Sequence, residues 1–337
     1  MKKQRFTIKR GLMVLLVMIL LMMIIAIVSV NSGKMNLSVS EVFQVLLGNG
    51  TQKQNLIVYE FRSPRIVLSL LVGIGMGASG CIMQSLLKND MASPGTLGIS
   101  SGSGLFVLLF IVMFASKGAA SAFTLPLLAF VGGMTAAVLI FLLSYRKGRD
   151  ISPTGLILTG VALSSGYGAV TTLLTLKLDE KQMDFMQRWS AGSLWGDDWT
   201  YLSLLAPWTI ILLIYVIYKS RILNALHLGN QTATGLGVAM KKEFLGLSVA
   251  SVALSSGSVA LGGNFFFVGM ITPHLARKLV GPNHKLLIPA SSLSGAILVL
   301  LADTITRTIS LGTDVPAGII ITVLSTPYFL YLLAKSK

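Results

Sequence analysis

The sequence predicts an all-α polytopic membrane protein with ten spanning helices, and three observations carry that prediction. Of the 337 residues, 53% are hydrophobic and only 12% are charged, against roughly 25% charged in a soluble globular chain. Stretches almost free of charge, each about the 20 residues needed to cross a bilayer, recur from one end of the chain to the other. The basic residues are also distributed unevenly around those stretches, as the positive-inside rule requires. The mean hydropathy of +0.78 agrees.

The first span, residues 11–30, follows Lys2, Lys3, Arg5, Lys9 and Arg10. Its apolar run is longer than that of a signal peptide and no A-x-A cleavage site follows, so it is expected to remain as a helix with a cytoplasmic N-terminus. Further spans fall near 66–87, 97–115, 124–145, 151–176 and 199–218. The stretch 244–276 is long for one span and short for two, and Gly262-Gly263-Asn264 interrupts it. Splitting it into 244–261 and 265–276, then adding 286–307 and 315–334, gives ten spans with both termini cytoplasmic. In that arrangement 18 of the 27 Lys and Arg lie inside with three acids, Asp90, Asp150 and Glu243, so the inner side carries the whole +15. Nine spans would move Arg277, Lys278, Lys285, Lys335 and Lys337 outside and spoil the asymmetry. The longest polar connections are 31–65 and 177–198 outside and 219–243 inside. None could house an ATPase, so residues 1–337 read as one membrane domain.

Several chemistries are excluded or weakened by what the chain lacks. Cys81 is the only cysteine, which rules out an internal disulfide, and its apolar surroundings suit a small packing residue. Gly75-Met76-Gly77-Ala78-Ser79-Gly80 matches G-x-G-x-x-G, but it lies inside a span rather than between a strand and a helix, so close helix packing explains it. Gly73 and Gly77 read the same way. No G-x-x-x-x-G-K-[ST] occurs, and His227, His274 and His284 lack metal-ligand spacing. Ionisable residues within spans are scarce. Asp303 stands four residues before Arg307 near the expected outer end of its span, which suits either a local ion pair or an arginine offered to an outside partner.

Phe61-Arg62-Ser63-Pro64-Arg65, then Gly80-Cys81-Ile82-Met83-Gln84 and Pro94-Gly95-Thr96-Leu97-Gly98-Ile99-Ser100, resemble a known family. So do Leu158-Thr159-Gly160-Val161-Ala162-Leu163, Trp189-Ser190-Ala191-Gly192-Ser193-Leu194 and Phe267-Val268-Gly269-Met270-Ile271-Thr272-Pro273-His274-Leu275-Ala276-Arg277. Leu301-Ala302-Asp303-Thr304-Ile305-Thr306-Arg307 and Val315-Pro316-Ala317-Gly318 complete the series. The sequence resembles the FecCD family, the permease subunits of iron-siderophore, haem and cobalamin ABC importers, and most closely ferric-hydroxamate permeases.

That resemblance implies a type II ABC importer architecture in the bacterial inner or plasma membrane. A second permease subunit, identical or paralogous, would pair with this one. Two ATPase subunits would lie below, binding the ATP and Mg that this chain does not, and an extracytoplasmic siderophore-binding protein would dock above. The resemblance assigns Arg62, Arg65 and Arg307 to acidic residues of that binding protein, although Arg62 and Arg65 would also serve as interfacial anchors. It places the coupling element in loop 219–243, at Leu223, Leu226, Leu228, Gly229, Thr234, Gly235, Leu236 and Gly237. A cationic helix lying on the inner leaflet is the plainer reading of that loop. The cytoplasmic gate would correspond to Ser152, Pro153 and Thr154, with Thr159, Ser164 and Ser165 on the fifth span offering uncharged contacts to a bulky chelate. His274 is expected to be structural.

Other functions fare worse. An ion-coupled secondary transporter would need a mid-membrane ionisable pair or a broken-helix ion site. An intramembrane enzyme would need a nucleophile with a base, or a metal triad. The resemblance to ferric-hydroxamate permeases favours a ferric hydroxamate such as ferrichrome, while catecholates, ferric citrate, haem and cobalamin share the scaffold.

Overall fold

The computed structural model describes residues 7–33, 37–114, 124–144, 153–308 and 315–335. Helix α1, Ile8–Asn31, starts where Thr7 accepts the Arg10 N–H at 3.3 Å. At 1.5 Å per residue its 24 residues exceed the roughly 30 Å of bilayer hydrocarbon. Two short outer helices follow, α2 (Val39–Leu46) and α3 (Gln52–Asn55), both opened by capping boxes, Ser38 with Glu41 and Thr51 with Gln54. A π-helical stretch, Leu56–Arg62, leads without a break into α4, Ser63–Leu87. The helix carrying the second span thus begins at Gln52 rather than near residue 66. Pro64 sits where the π-helical stretch passes into α4, so its missing N–H falls at the change of helical register inside the continuous helix.

Helices α5 (Ile99–Phe114), α6 (Thr124–Ser144) and α7 (Pro153–Thr175) come next, followed by an outer helix, α8 (Glu180–Ser190), capped by Asp179 and Gln182. After α9 (Trp199–Tyr218), two short inner helices, α10 (Ser220–His227) and α11 (Asn230–Gly235), precede α12 (Met240–Gly262). The chain ends with α13 (Phe266–Val280), α14 (His284–Thr308) and α15 (Ala317–Lys335). Seven helices among the described residues have the length and composition to cross a membrane, and α5 and α15 are shorter apolar helices of the same kind.

Helix α4 is the axis of the bundle, and its glycines explain how so many neighbours reach it. A Cβ on Gly73 or Gly77 would overlap backbone of α14 at Gly295 or Ser291, and one on Gly80 would overlap the Gly269 carbonyl of α13. On another side, Ser79 and Ser251 of α12 exchange hydroxyl and carbonyl hydrogen bonds at 2.7–2.9 Å. Small residues let backbones meet where lipid offers no hydrophobic drive to associate. Cys81 is fully buried in this packing.

The interruption at 262–264 is a helix break, with Gly263 at φ +72°. Helix α13 has 15 residues, about 22 Å of rise, less than a full hydrocarbon thickness. The break before it is accordingly covered by protein: Asn264 N–H donates to the Trp189 carbonyl at 3.3 Å, and Trp195 N–H to the Leu261 carbonyl at the end of α12 at 3.0 Å. Irregular backbone at membrane depth is tolerated where protein satisfies it.

Candidate functional site

At the outer end, the π-helical stretch, α4, α14 and the connection before α9 bring five charged side chains together. Asp303, wholly buried, accepts Arg65 Nε on one carboxylate oxygen at 3.0 Å and Arg307 Nε on the other at 2.9 Å. Arg65 also reaches Asp197, in the connection before α9, at 3.1 Å. Arg307 donates to Ser29 Oγ of α1, and Arg62 to the Val30 carbonyl. The structure therefore gathers all three arginines singled out in the sequence, and each fastens one element to another. Arg62 is buried, whereas the side chains of Arg65 and Arg307 keep 28% and 16% of their surface. Against two aspartates, three arginines leave one positive charge. The i, i+4 pair of Asp303 with Arg307 forms, and Arg65 converts it into a clamp.

At the inner end, α10 and α11 form a projecting element. Leu223 and Leu226 are buried against α4, α12 and α14, so they anchor it. Leu228 and Leu236, each 65% exposed, are its free apolar groups. Thr234 and Gly235 are exposed beside them. Gly229 and Gly237 lie at φ +113° and +82°, the left-handed region where a side chain is strained, and nothing crowds either. Gly235 ends α11 in ordinary helical conformation.

A buried chain of hydrogen bonds that sequence reasoning missed joins this element to the bundle. Asn224 of α10 accepts the His284 N–H at 2.8 Å, and its same oxygen lies 2.8 Å from His284 Nδ1. His284 Nε2 lies 2.6 Å from Ser85 Oγ on α4. Lys88 adds a 3.0 Å bond to Asn230, and Lys219 a 2.8 Å ion pair to Glu243. The hydrogen bond it donates to Glu243 holds the Lys219 ammonium above its ordinary pKa of 10.5. A histidine opening a helix has no sequence signature for such a role, because its partners lie 60 and 199 residues away.

Of the gate residues, Ser152 lies outside the described residues. Pro153 opens α7, and Thr154 is exposed. Thr159 accepts the Ser144 hydroxyl of α6 at 3.0 Å, and Ser164 packs against the turn at Gly98, so both are engaged with neighbours. Ser165 is exposed and donates to the Val161 carbonyl at 3.1 Å. The open face of α7 runs through Thr154, Leu158, Val161, Ser165 and Thr172. A cavity of about 420 Å³ lies beside Asn264, Phe266, Phe267, Ile319 and Thr322, between the outer turn of α13 and α15. His274, in α13, faces Asp90 at 4.0 Å, and Arg277 shares that carboxylate. Among the described residues no cluster of three His, Cys, Asp or Glu could hold a metal ion.

Comparison with known proteins covers nearly the whole chain. Residues 19–335 match the model of the FecCD transport family. The chain is 43% identical over 336 residues to the iron(3+)-hydroxamate import system permease protein FhuG of Bacillus subtilis, covering 97% of this chain and 98% of that one. It is 37% identical to the Fe(3+)-citrate import system permease protein YfmE of the same organism, over 99% of this chain and 98% of the relative. It is 35% identical to the hemin transport system permease protein HmuU of Yersinia pestis, over 93% and 92% respectively. A solved metal-chelate type ABC transporter in an inward-facing conformation superposes with a TM-score of 0.83 at 30% identity, over 96% of this chain and 99% of that one.

Proposed function

Because the chain belongs to the FecCD transport family, we propose that it is a permease subunit of an ATP-driven importer of ferric siderophores, with ferric hydroxamates such as ferrichrome as the substrate class. The observation that carries the substrate is the 43% identity to a hydroxamate permease across 97% of the chain, above the 37% and 35% to the citrate and hemin permeases. The chain is an integral membrane transport subunit, not an enzyme, and ATP hydrolysis falls to separate subunits. The membrane assigned is the bacterial cell membrane.

The mechanism follows the geometry. Leu228 and Leu236 offer an apolar ridge to a groove on the ATPase. Gly229 and Gly237 bound α11 and absorb backbone change as the ATPases close on ATP. Asn224, His284 and Ser85 carry that motion to α14 and α4. The uncharged face of α7, facing the second permease subunit, lines the path of a chelate delivered from outside. Its hydroxyls touch the ligand without the electrostatic trap that a buried charge would set. At the outer end the cluster, one positive charge in excess, meets acidic residues of the binding protein through the part-exposed Arg65 and Arg307, with Arg62 fastened behind them to α1.

The test is uptake of radiolabelled iron by cells lacking the gene and by complemented cells, offered as ferric hydroxamate, catecholate and citrate, with labelled cobalamin in parallel. Loss and recovery confined to the hydroxamate is the expected result. Recovery on citrate or cobalamin alone would reassign the substrate.

A further inference from the structure

Helix α2 shows three distinct sides. Val42 and Val45 are buried with Ile57 and Val58, and Val30 of α1 packs against the same cluster. Ser40 and Gln44 are polar and exposed. Between these sides Val39, Phe43 and Leu47, spaced i, i+4, i+8, form an apolar ridge that is 69%, 62% and 62% exposed.

Two hydrogen bonds fix the level of this ridge in the molecule. Tyr59 donates its hydroxyl to the Val45 carbonyl at 3.3 Å, and Trp199 donates its indole N–H to the Tyr59 carbonyl at 3.0 Å. Trp199 is the first residue of α9, whose 20 residues are all needed to cross about 30 Å of hydrocarbon, so it stands at the outer boundary. Trp199 and Tyr59 are themselves exposed, the ring types that gather at the headgroup level. The last turns of α1 expose Ile24, Ile27 and Val28, and α2 follows after a connection of seven residues, 32–38. Val30, one turn on, packs against the buried side of α2, which ties the helix to the outer end of α1.

We propose that α2 is an in-plane interfacial helix whose Val39, Phe43 and Leu47 ridge is seated among phospholipids at the headgroup boundary of the outer leaflet. A ridge of this width in water would be a liability, whereas an amphipathic helix buries its apolar face some 5–10 Å into that boundary. The seating holds the outer end of α1, and with it Arg62, at a fixed depth while the inner helices move. This assignment concerns lipid, not substrate, and stands whatever chelate is carried.

The test uses the full chain in proteoliposomes of phosphatidylethanolamine and phosphatidylglycerol. Phe43→Cys and Gln44→Cys are each labelled with an environment-sensitive fluorophore, with buried Cys81 left in place. At position 43 the emission is expected to be blue-shifted, quenched by lipids brominated near the carbonyl end of their chains, and insensitive to iodide. At position 44 the pattern reverses. Leu47→Cys gives the same reading from the other end of the ridge if Phe43→Cys does not assemble. Iodide quenching of 43 and 47 as strong as that of 44 overturns the proposal, and so does shielding of 43 that appears only when the siderophore-binding protein is added.

Discussion

Arg65 reaches Asp303 across the seam between α4 and α14 at 3.0 Å, 238 residues away in sequence, and the aspartate it meets has no exposed surface. Asp303→Ala leaves Arg65 and Arg307 without their shared carboxylate in a partly buried site. The expected loss is ~3–5 kcal/mol of stability, because Arg307 is left without a carboxylate and Arg65 with Asp197 alone where water reaches them only in part. Thermal unfolding of the purified chain in detergent measures it. Replacing Asp303, Arg65 and Arg307 together with apolar residues should recover part of that loss, and no recovery would count against a charge clamp.

Glycine substitutions separate packing from conformation. Gly80→Ala places a methyl on the Gly269 carbonyl and is expected to cost about 1–3 kcal/mol through forced backbone movement. Gly166→Ala meets open space inside α7 and should be neutral or gain up to about 1 kcal/mol from helix propensity. If Gly166→Ala abolishes uptake while unfolding is unchanged, the α7 face is closely approached in the assembled importer.

The two leucine pairs of the inner element predict opposite phenotypes. Leu223→Ala removes a fully buried side chain and should cost ~2–5 kcal/mol. Leu228→Asp and Leu236→Asp should leave the melting temperature alone and abolish copurification of the ATPase. Retained copurification would remove the ridge from the interface.

His284→Ala removes the two ring hydrogen bonds to Ser85 and Asn224, while Ser85 keeps the Cys81 carbonyl and Asn224 keeps the backbone N–H of residue 284, so the expected cost is about 1–3 kcal/mol for the two lost bonds. If the chain of bonds transmits motion, the reconstituted complex keeps its ATPase activity but loses binding-protein stimulation and uptake. Parallel loss of all three would make the residue merely structural.

The Lys219–Glu243 pair gives a pH dependence whose sign is fixed. The folded-state pKa of Lys219 is raised, so its contribution is complete below the ordinary value of 10.5 and is lost as pH rises through the raised folded-state value. The stability difference between the wild type and Lys219→Met should therefore be flat through neutral pH and shrink in strongly alkaline buffer. Unfolding curves across that range check it.

Much of the architecture was legible because lipid imposes simple rules. Apolar length and positive-inside charge gave the helices, and Gly262-Gly263-Asn264 marked a real break. The outer helices were signalled more faintly, by Ser38-x-x-Glu41, Thr51-x-x-Gln54 and Asp179-x-x-Gln182, spacings that read as capping boxes only once a helix is known to follow. The start of α4 was obscured because Glu60, Arg62 and Arg65 made a helical stretch look like a loop.

The sequence by itself determined composition-driven properties: a helical membrane protein, the family it resembles, and which arginines and leucines to watch. Only the tertiary structure decided their company. It paired Arg65 with Asp303, turned Leu223 and Leu226 inward while leaving Leu228 and Leu236 outside, and linked His284 to Ser85 and Asn224. The reason is physical. Insertion into lipid depends on local sums of hydropathy and charge, which any window of sequence contains. A hydrogen bond or ion pair depends on helices brought to within about 3 Å, and that distance is set by glycine-lined seams between segments hundreds of residues apart.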